Sequence, residues 1–386
     1  MNYLEKLLQG APVEWKTLGE VCEIKGRIGF RGYTRKDLVE KGEGAISLSP
    51  SNITDDGLSF EKCTYISWYK YEESPEIMAN VGDIVFTKTA SVGKTALITE
   101  LPEKATINPQ LVLLKNIKCS AEYLIHYLKD YNFQSEVLKL SGVGSVPNVS
   151  QTALGKIQIP IPPLAVQKQI AKVLGTFAEL TAELTAELTA RQKQYTYYRD
   201  KLLTFGDEVE WKPLGEVCRI LRGRRLTRRD LVENGNYPVY HRGIEPIGYY
   251  NMRNRIANSV MIINVGASAG TVGFSDREFW SSDGCFCFLH NKNVNQRFLF
   301  YYLQNIELLI KSKVRKAGIP TLDNSVIENL KIPILPKGEQ KRIVKILDTF
   351  YTLVNSISEG LPKEIALRQK QYEYYRDLLL GFDNLK

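Results

Sequence analysis

RQKQYTYYRD stands at residues 191–200 and RQKQYEYYRD at residues 368–377, one phrase written twice with only Thr196 exchanged for Glu373. Two longer blocks repeat with it. EWKTLGEVCEI at 14–24 returns as EWKPLGEVCRI at 210–220, and IPIPPLAVQKQIAKVLGTF at 159–177 returns as IPILPKGEQKRIVKILDTF at 332–350. Solenoids repeat every 20–50 residues or so, roughly one supersecondary unit. Here the period is about half of the 386-residue chain, so the molecule is two copies of one unit. The opening YLEKLLQGAPVEWK, Tyr3 to Lys16, also echoes YRDKLLTFGDEVEWK, Tyr198 to Lys212, as if a ring of two units had been cut at a helix end.

Each copy divides into a variable region, a proline-rich hinge and a long helix. The divisions fall at 1–156 and 157–205 in the first copy, and at 206–329 and 330–386 in the second. In the hinges IPIPP and IPILP, proline forbids helix and favours an extended entry, so the helices begin after Pro163 and Pro336. The first is expected to run to Gly206, with a seam of Ile170, Leu174, Phe177, Leu184, Leu188, Tyr195, Leu202 and Phe205 at steps of mostly three, four or seven. From Leu164 to Phe205 such a helix is about 60 Å long.

At its centre, ELTAELTAELTA (179–190) repeats a tetrad worth about 6 Å of helix. Phe177 and Arg191 are 14 positions apart, whereas Phe350 and Arg368 are 18 apart, so the second segment is one tetrad longer. It is also expected to break at Gly360 and Pro362. The two segments are expected to pair antiparallel and bury both seams, rather than each capping its own domain.

The variable regions share a faint skeleton. VGDIVFTKTASVGKTALITE (81–100) and ANSVMIINVGASAGTVGFSDREF (257–279) both give strand, Gly/Ser-rich loop, strand. Helical stretches at 121–140 and 295–317 make each region α+β. A common scaffold with different loops is how binding specificity is usually varied.

Lys and Arg exceed Asp and Glu by eight, with pI near 8.9, a bias toward a polyanionic partner. The N-terminus lacks the apolar core of a signal peptide and no run is long and apolar enough to span a bilayer, so the chain is expected to be cytoplasmic, without membrane contact. Its six cysteines contain one C-x-C and no C-x-x-C, and its three histidines have no metal-ligand spacing, so a zinc site is not expected. Gly93-Lys94-Thr95 resembles the end of a phosphate-binding loop, but Lys88 stands where the first glycine is needed. Asn108-Pro109-Gln110-Leu111 matches only half of an N-P-P-Y type motif and lacks a Gly-rich cofactor loop. Hydrolase, metalloprotease and nuclease signatures are also missing.

Six arginines crowd Arg219 to Arg229, RILRGRRLTRR, and KGRIGFRGYTRK at Lys25 to Lys36 is a weaker counterpart. An isolated basic run is usually a solvated loop. These two fall at corresponding places just after EVC-x-I, which favours nucleic-acid contact, for which the arginine fork suits phosphate and guanine.

The duplicated EWK-x-LGEV opening, the proline hinge with its glutamine, the TAEL tetrads and the RQKQY-x-YYRD close together resemble the DNA-specificity subunits of type I restriction-modification enzymes, over the whole chain. The resemblance implies an α+β fold with two target-recognition domains, 1–156 and 206–329, in pseudo-twofold arrangement and separated by an antiparallel pair of long helices. It implies a non-catalytic chain that reads a bipartite asymmetric site on double-stranded DNA. That chain would dock two modification (methyltransferase) subunits and, through them, restriction (translocase/endonuclease) subunits. S-adenosylmethionine, ATP and Mg would then sit on the partners, with no cofactor in this chain.

For DNA contact the expected residues are Arg27, Arg31, Lys88, Ser91 and Lys94 in the first region, and Arg222, Arg224, Arg225, Arg242, Asn264 and Ser268 in the second. For partner docking they are Tyr195, Tyr197, Tyr198 and Arg199, with Tyr372, Tyr374, Tyr375 and Arg376, since aromatics and Arg favour interface cores. The same tyrosines could instead pack the helical seam. Two other readings are a single-chain DNA methyltransferase or nuclease with fused recognition domains, and a scaffold for a ligand other than nucleic acid.

Overall fold

The repeated openings and the repeated hinges are strands that pair with one another. Glu14–Thr17 runs antiparallel to Gln158–Ile161 with Trp15 opposite Pro160, and Glu210–Pro213 runs antiparallel to Lys331–Ile334 with Trp211 opposite Pro333. Both sheets have only two strands, so neither proline removes a hydrogen bond that an inner strand would need. Leu18 N–H then donates to Ile157 O at 2.9 Å, and Leu214 N–H to Leu330 O at 2.8 Å. Each variable region therefore enters and leaves its unit at one place. The computed structural model describes residues 3–29, 32–54, 57–142, 146–289, 293–356 and 359–382. It divides into one unit of Met1–Thr185 with Glu364–Lys386 and another of Ala186–Lys363.

In the first unit a sheet has the order Glu23–Gly26, Leu111–Lys115, Ile84–Thr87, Thr95–Leu97, all neighbours antiparallel. Alternate residues serve different cores. Ile84, Phe86, Val112 and Leu114 join the helices, while Val85, Leu111 and Leu113 join a second cluster under the other sheet. That period of two with both faces buried explains the unbroken apolar runs in the sequence. The second unit repeats the order with Ile220–Arg222, Cys285–Phe288, Ser259–Ile263 and Val272–Ser275. Val260, Ile262, Phe286 and Phe288 face its helices, and Met261, Ile263, Cys285 and Cys287 face away. A parallel strand pair completes both scaffolds: Gly44–Leu48 with Ala105–Ile107, and Tyr237–Tyr240 with Trp280–Ser281.

Leu164–Leu203 is a single helix, as the hinge and seam predict. The second copy breaks into Lys337–Asn355 and Leu361–Leu380. Gly360 sits where a Cβ would come within 2.4 Å of Thr352 O, so the chain turns there only without a side chain. Pro362 falls in the first turn of the next helix, where a missing N–H is harmless.

Within the first unit, the ring of Tyr375 stacks on Phe177, centroids 5.1 Å apart and planes 19° apart. Gln369 and Tyr372 line a cleft with Thr181, Ala182 and Thr185. Earlier residues of one helix thus lie beside later residues of the other, an antiparallel pair. Leu379, Leu380 and Phe382 share their core with Ile170, Leu174, Leu4 and Leu8. Within the second unit Tyr198 stacks on Phe350 at 5.4 Å and 20°, and Tyr195 meets Tyr351 edge-on at 6.4 Å. In each unit, then, the helix after one copy's hinge is packed against the closing phrase of the other copy. The segments 157–205 and 330–386 are each divided between the two units. Among the described residues, none from Ala178 to Ala190 is buried. There Thr181 and Thr185 return their hydroxyls to Phe177 O and Thr181 O, both at 2.8 Å.

The glutamine of each hinge block is a buried latch. Gln167 accepts the Ser120 N–H through Oε1 at 2.9 Å and donates through Nε2 to Pro162 O at 2.7 Å. Gln340 accepts the Asn295 N–H at 2.8 Å and donates to Leu335 O at 2.8 Å and Asn293 O at 2.9 Å. Ser120 and Asn295 are themselves the N-caps of Ala121–Leu128 and Gln296–Asn305. One side chain so ties the hinge, the long helix and the domain helix together, and its polar atoms remain satisfied in the core.

Candidate nucleic-acid interface

The two predicted hairpin loops have different sequences and one hydrogen-bond frame. In the first, Thr87 N–H donates to Lys94 O, Gly93 to Thr87 O, Lys94 to Ser91 O, Lys88 to Gln110 O and Ala90 to Pro147 O, and Lys88 O accepts from Val149 N–H. In the second, Ile263 donates to Thr271 O, Gly270 to Ile263 O, Thr271 to Ser268 O, Asn264 to Gly284 O and Gly266 to Pro320 O, and Asn264 O accepts from Leu322 N–H. The bonds correspond one for one. Each loop is clamped on one side by an X-Pro segment and on the other by a turn leading into the central strand of the sheet. Ala90 adopts φ +67° where Gly266 adopts +100°. That left-handed conformation costs a residue with a Cβ roughly 1 kcal/mol.

Around the turn after Trp280–Ser281 the second unit gathers its basic residues. Arg224 N–H donates to Ser281 O at 3.0 Å, and Gly223 lies so near that a Cβ there would overlap Ser282 O. Leu226 N–H reaches Ser282 Oγ at 3.4 Å, Ser282 N–H donates to Tyr240 O, and the Arg242 side chain lies against both Gly266 and Gly284. His241 Nδ1 is 3.4 Å from Asp283. Burial holds the His241 ring below the usual histidine range, Asp283 opposes, and the cations of Arg242 and Arg225 add to the lowering. Arg222, Arg224, Arg225, Arg228, Arg229 and Arg242 are all exposed, with Ser268 half-buried on the loop. Asn264 departs from expectation: its side chain is only 4% exposed, so it lies beneath the loop and not at its tip.

In the first unit Arg27 also departs from expectation. It is 6% exposed, donates to Ile107 O and Thr106 Oγ1, both at 3.4 Å, and covers the Tyr33 ring at 5.1 Å. Its cation is held inside the fold. Arg31 lies outside the described residues. Ser91 is exposed at the loop tip and Lys88 is half-buried. Exposed Lys94 lines the cleft facing Thr181, Thr185 and Tyr372. Sequence reasoning missed Asn108–Gln110, the turn that matches Ser282–Gly284. The signal was a polar, proline-containing step between two apolar runs.

The closing phrases divide by direction. Tyr195 is buried, its hydroxyl 3.4 Å from Gln304 Oε1, and burial pushes that hydroxyl up to about 12. Tyr372 approaches His126 Nδ1 at 3.2 Å, and burial lowers His126 to about 4. Tyr198 and Tyr375 lay their rings on phenylalanines. Tyr197 and Tyr374 point outward, 59% and 64% exposed. Arg199 and Arg376 each hold the following aspartate at 2.8 Å, and Arg376 also approaches buried Asp130 at 3.7 Å. Among the described residues, no three or more His, Cys, Asp and Glu side chains come together as a metal site.

Residues 12–191 and 206–367 each match the family described as the type I restriction modification DNA specificity domain. The chain is 32% identical to a putative type I restriction enzyme specificity subunit of Haemophilus influenzae, over 99% of this chain and 98% of that protein. It is 31% identical to a type I restriction enzyme specificity subunit of Escherichia coli, over 99% and 97%. Its fold is like that of a crystal structure of a type I restriction-modification system S subunit from M. genitalium, with TM-score 0.69 and 17% identity over 98% of this chain and 99% of that one.

Proposed function

Because this chain belongs to the type I restriction-modification DNA specificity family, we propose that it is the non-catalytic subunit that reads a bipartite, asymmetric site on double-stranded DNA for such a system. One observation carries the reading: a single loop frame, bond for bond the same, bears unlike residues in the two units. Two readers with different tips on one chain call for two different half-sites. Exposed arginines of the Arg219–Arg229 run supply phosphate contacts, and the loops with the turns beside them supply the base contacts.

Methylation and restriction belong, in this reading, to the partners. Two modification subunits carrying S-adenosylmethionine dock on the two closing phrases, and restriction subunits using ATP and Mg join through them. The continuous Leu164–Leu203 helix, which contributes residues to both units, sets the gap between half-sites.

The test is binding-site selection on the chain co-expressed with its modification subunits. A motif of two unlike halves at fixed separation is expected, with affinity falling steeply as salt rises. A palindromic or continuous motif would overturn the reading. So would methylation or cleavage of DNA by the purified chain alone, which is the outcome that favours a single-chain enzyme.

A further inference from the structure

Gln110 is held at three of its atoms. Its N–H donates to Asn108 Oδ1 at 3.0 Å, its carbonyl accepts from Lys88 N–H at 2.9 Å, and its Oε1 accepts from Asn108 Nδ2 at 3.1 Å. Pro109 between them fixes one backbone torsion of the turn. The residue is half-buried, and no bond of its Nε2 stands beside those three among the described residues. A carboxamide so fixed has an unused N–H and a second lone pair on Oε1 available together. Those are the two features with which glutamine meets N7 and N6 of adenine in the major groove. Having its rotamer set before contact also reduces the entropy lost on binding.

The second unit shows what the position is for. Gly284 corresponds to Gln110, since Asn264 N–H donates to its carbonyl as Lys88 N–H does to that of Gln110. A Cβ on Gly284 would come within 3.0 Å of Arg242 Cγ and 2.8 Å of Arg242 N. In the second unit the space that a side chain at this position would enter is instead taken by Arg242 together with His241, whose Nδ1 is also 3.0 Å away, and of the two Arg242 is exposed and stands among the gathered arginines. Arginine there matches guanine O6 and N7.

We infer that Gln110 is a base-contacting, specificity-determining residue of the first unit, presenting its carboxamide to an adenine, and that Arg242 does the same for a guanine in the second. This rests on the DNA-specificity reading above. Asn108 acts through Gln110 as a positioning residue.

Binding-site selection on the complex with its modification subunits, run for the parent, Gln110→Ala, Gln110→Glu and Arg242→Ala, tests it. Gln110→Ala should lose discrimination about 10- to 100-fold at one adenine of one half-site, with the gap and the other half unchanged. Gln110→Glu, of the same size but only an acceptor, should move that position toward cytosine. Arg242→Ala should relax a guanine in the other half. If the parent selects a bipartite motif and both Gln110 variants select the same one, the inference falls while the family reading stands. Equal loss across all sequences, or a change in the half-site that Arg242→Ala alters, also overturns it. A parent that selects no bipartite motif overturns both.

Discussion

The ring of Tyr375 lies flat on that of Phe177, 5.1 Å away, although the two belong to different copies of the repeat. The last helix therefore completes the first unit's core and not that of the region just before it in sequence. Removing residues 364–386 should expose Ile170 and Leu174 and loosen the first unit, leaving Tyr198 on Phe350 intact in the second. Hydrogen exchange on the truncated chain checks this: amides of 121–140 should lose protection and those of 296–305 keep it. The opposite pattern would contradict the assignment.

Gln167 satisfies a helix cap and a hinge carbonyl with one buried carboxamide. Replacing it by leucine leaves the Ser120 N–H and Pro162 O without that partner, a loss of about 1–3 kcal/mol. Urea unfolding should show it, and Gln340→Leu should do the same for the second unit. A loss under about 0.5 kcal/mol, the range of ordinary surface changes, would show that the latch is dispensable.

His126 couples stability to pH. Its folded value of about 4 is below the unfolded value near 6.5, because burial disfavours the charged ring. Between these limits the unfolded chain binds the extra proton, so stability falls as pH falls, by at most about 1.4 kcal/mol per pH unit, and is unaffected by this group above pH 7 or so. His126→Gln should flatten the decline between pH 7 and pH 5 in urea midpoints. Parallel curves for parent and variant would rule this out.

Deleting Thr181–Leu184 removes one tetrad, about 6 Å of helix, from a stretch with no buried residue, and so should leave both cores intact. At about 3.4 Å per base pair the selected gap should shorten by one or two pairs with both half-sequences kept. An unchanged gap in binding-site selection would refute the ruler.

Tyr197 and Tyr374 are exposed equivalents in the two closing phrases. Changing both to alanine should abolish co-purification of the modification subunits while moving stability by no more than about 0.5 kcal/mol. Changing Tyr195 or Tyr372, which face inward, should cost stability instead. Full retention of the partners by the double variant would remove the closing phrases from the docking surface.

Much of the fold was legible because the duplication marked it. The EWK and IP-I blocks repeat because they pair with each other, and the hinge glutamine repeats because it closes a buried latch. Gly360 and Pro362 broke the second helix for reasons visible in the letters. That each closing phrase packs against the other copy follows from the expected antiparallel pairing of the two segments; which of its tyrosines face inward was not legible, since Tyr195, Tyr197 and Tyr198 stand in one aromatic-basic run and only long-range packing distinguishes them. Arg27 was misplaced for a related reason. A cation in a basic run is normally solvated, and here Thr106, Ile107 and Tyr33, distant or unremarkable in sequence, take it in. The letters of the Asn108–Gln110 turn match only half of a methyltransferase-type motif, and its clamp to Lys88 spans too many residues for local patterns to reveal.

The antiparallel strand pairs at the feet of the two variable regions have a genetic corollary. Since each region starts and stops at adjacent rungs of one short ladder, a recombination event with crossovers in the EWK and IP-I codons would splice in a foreign cassette without disturbing the receiving frame. On the DNA-specificity reading, such an exchange would bring a new half-site as one whole unit, with no need to rebuild a core by stepwise substitution.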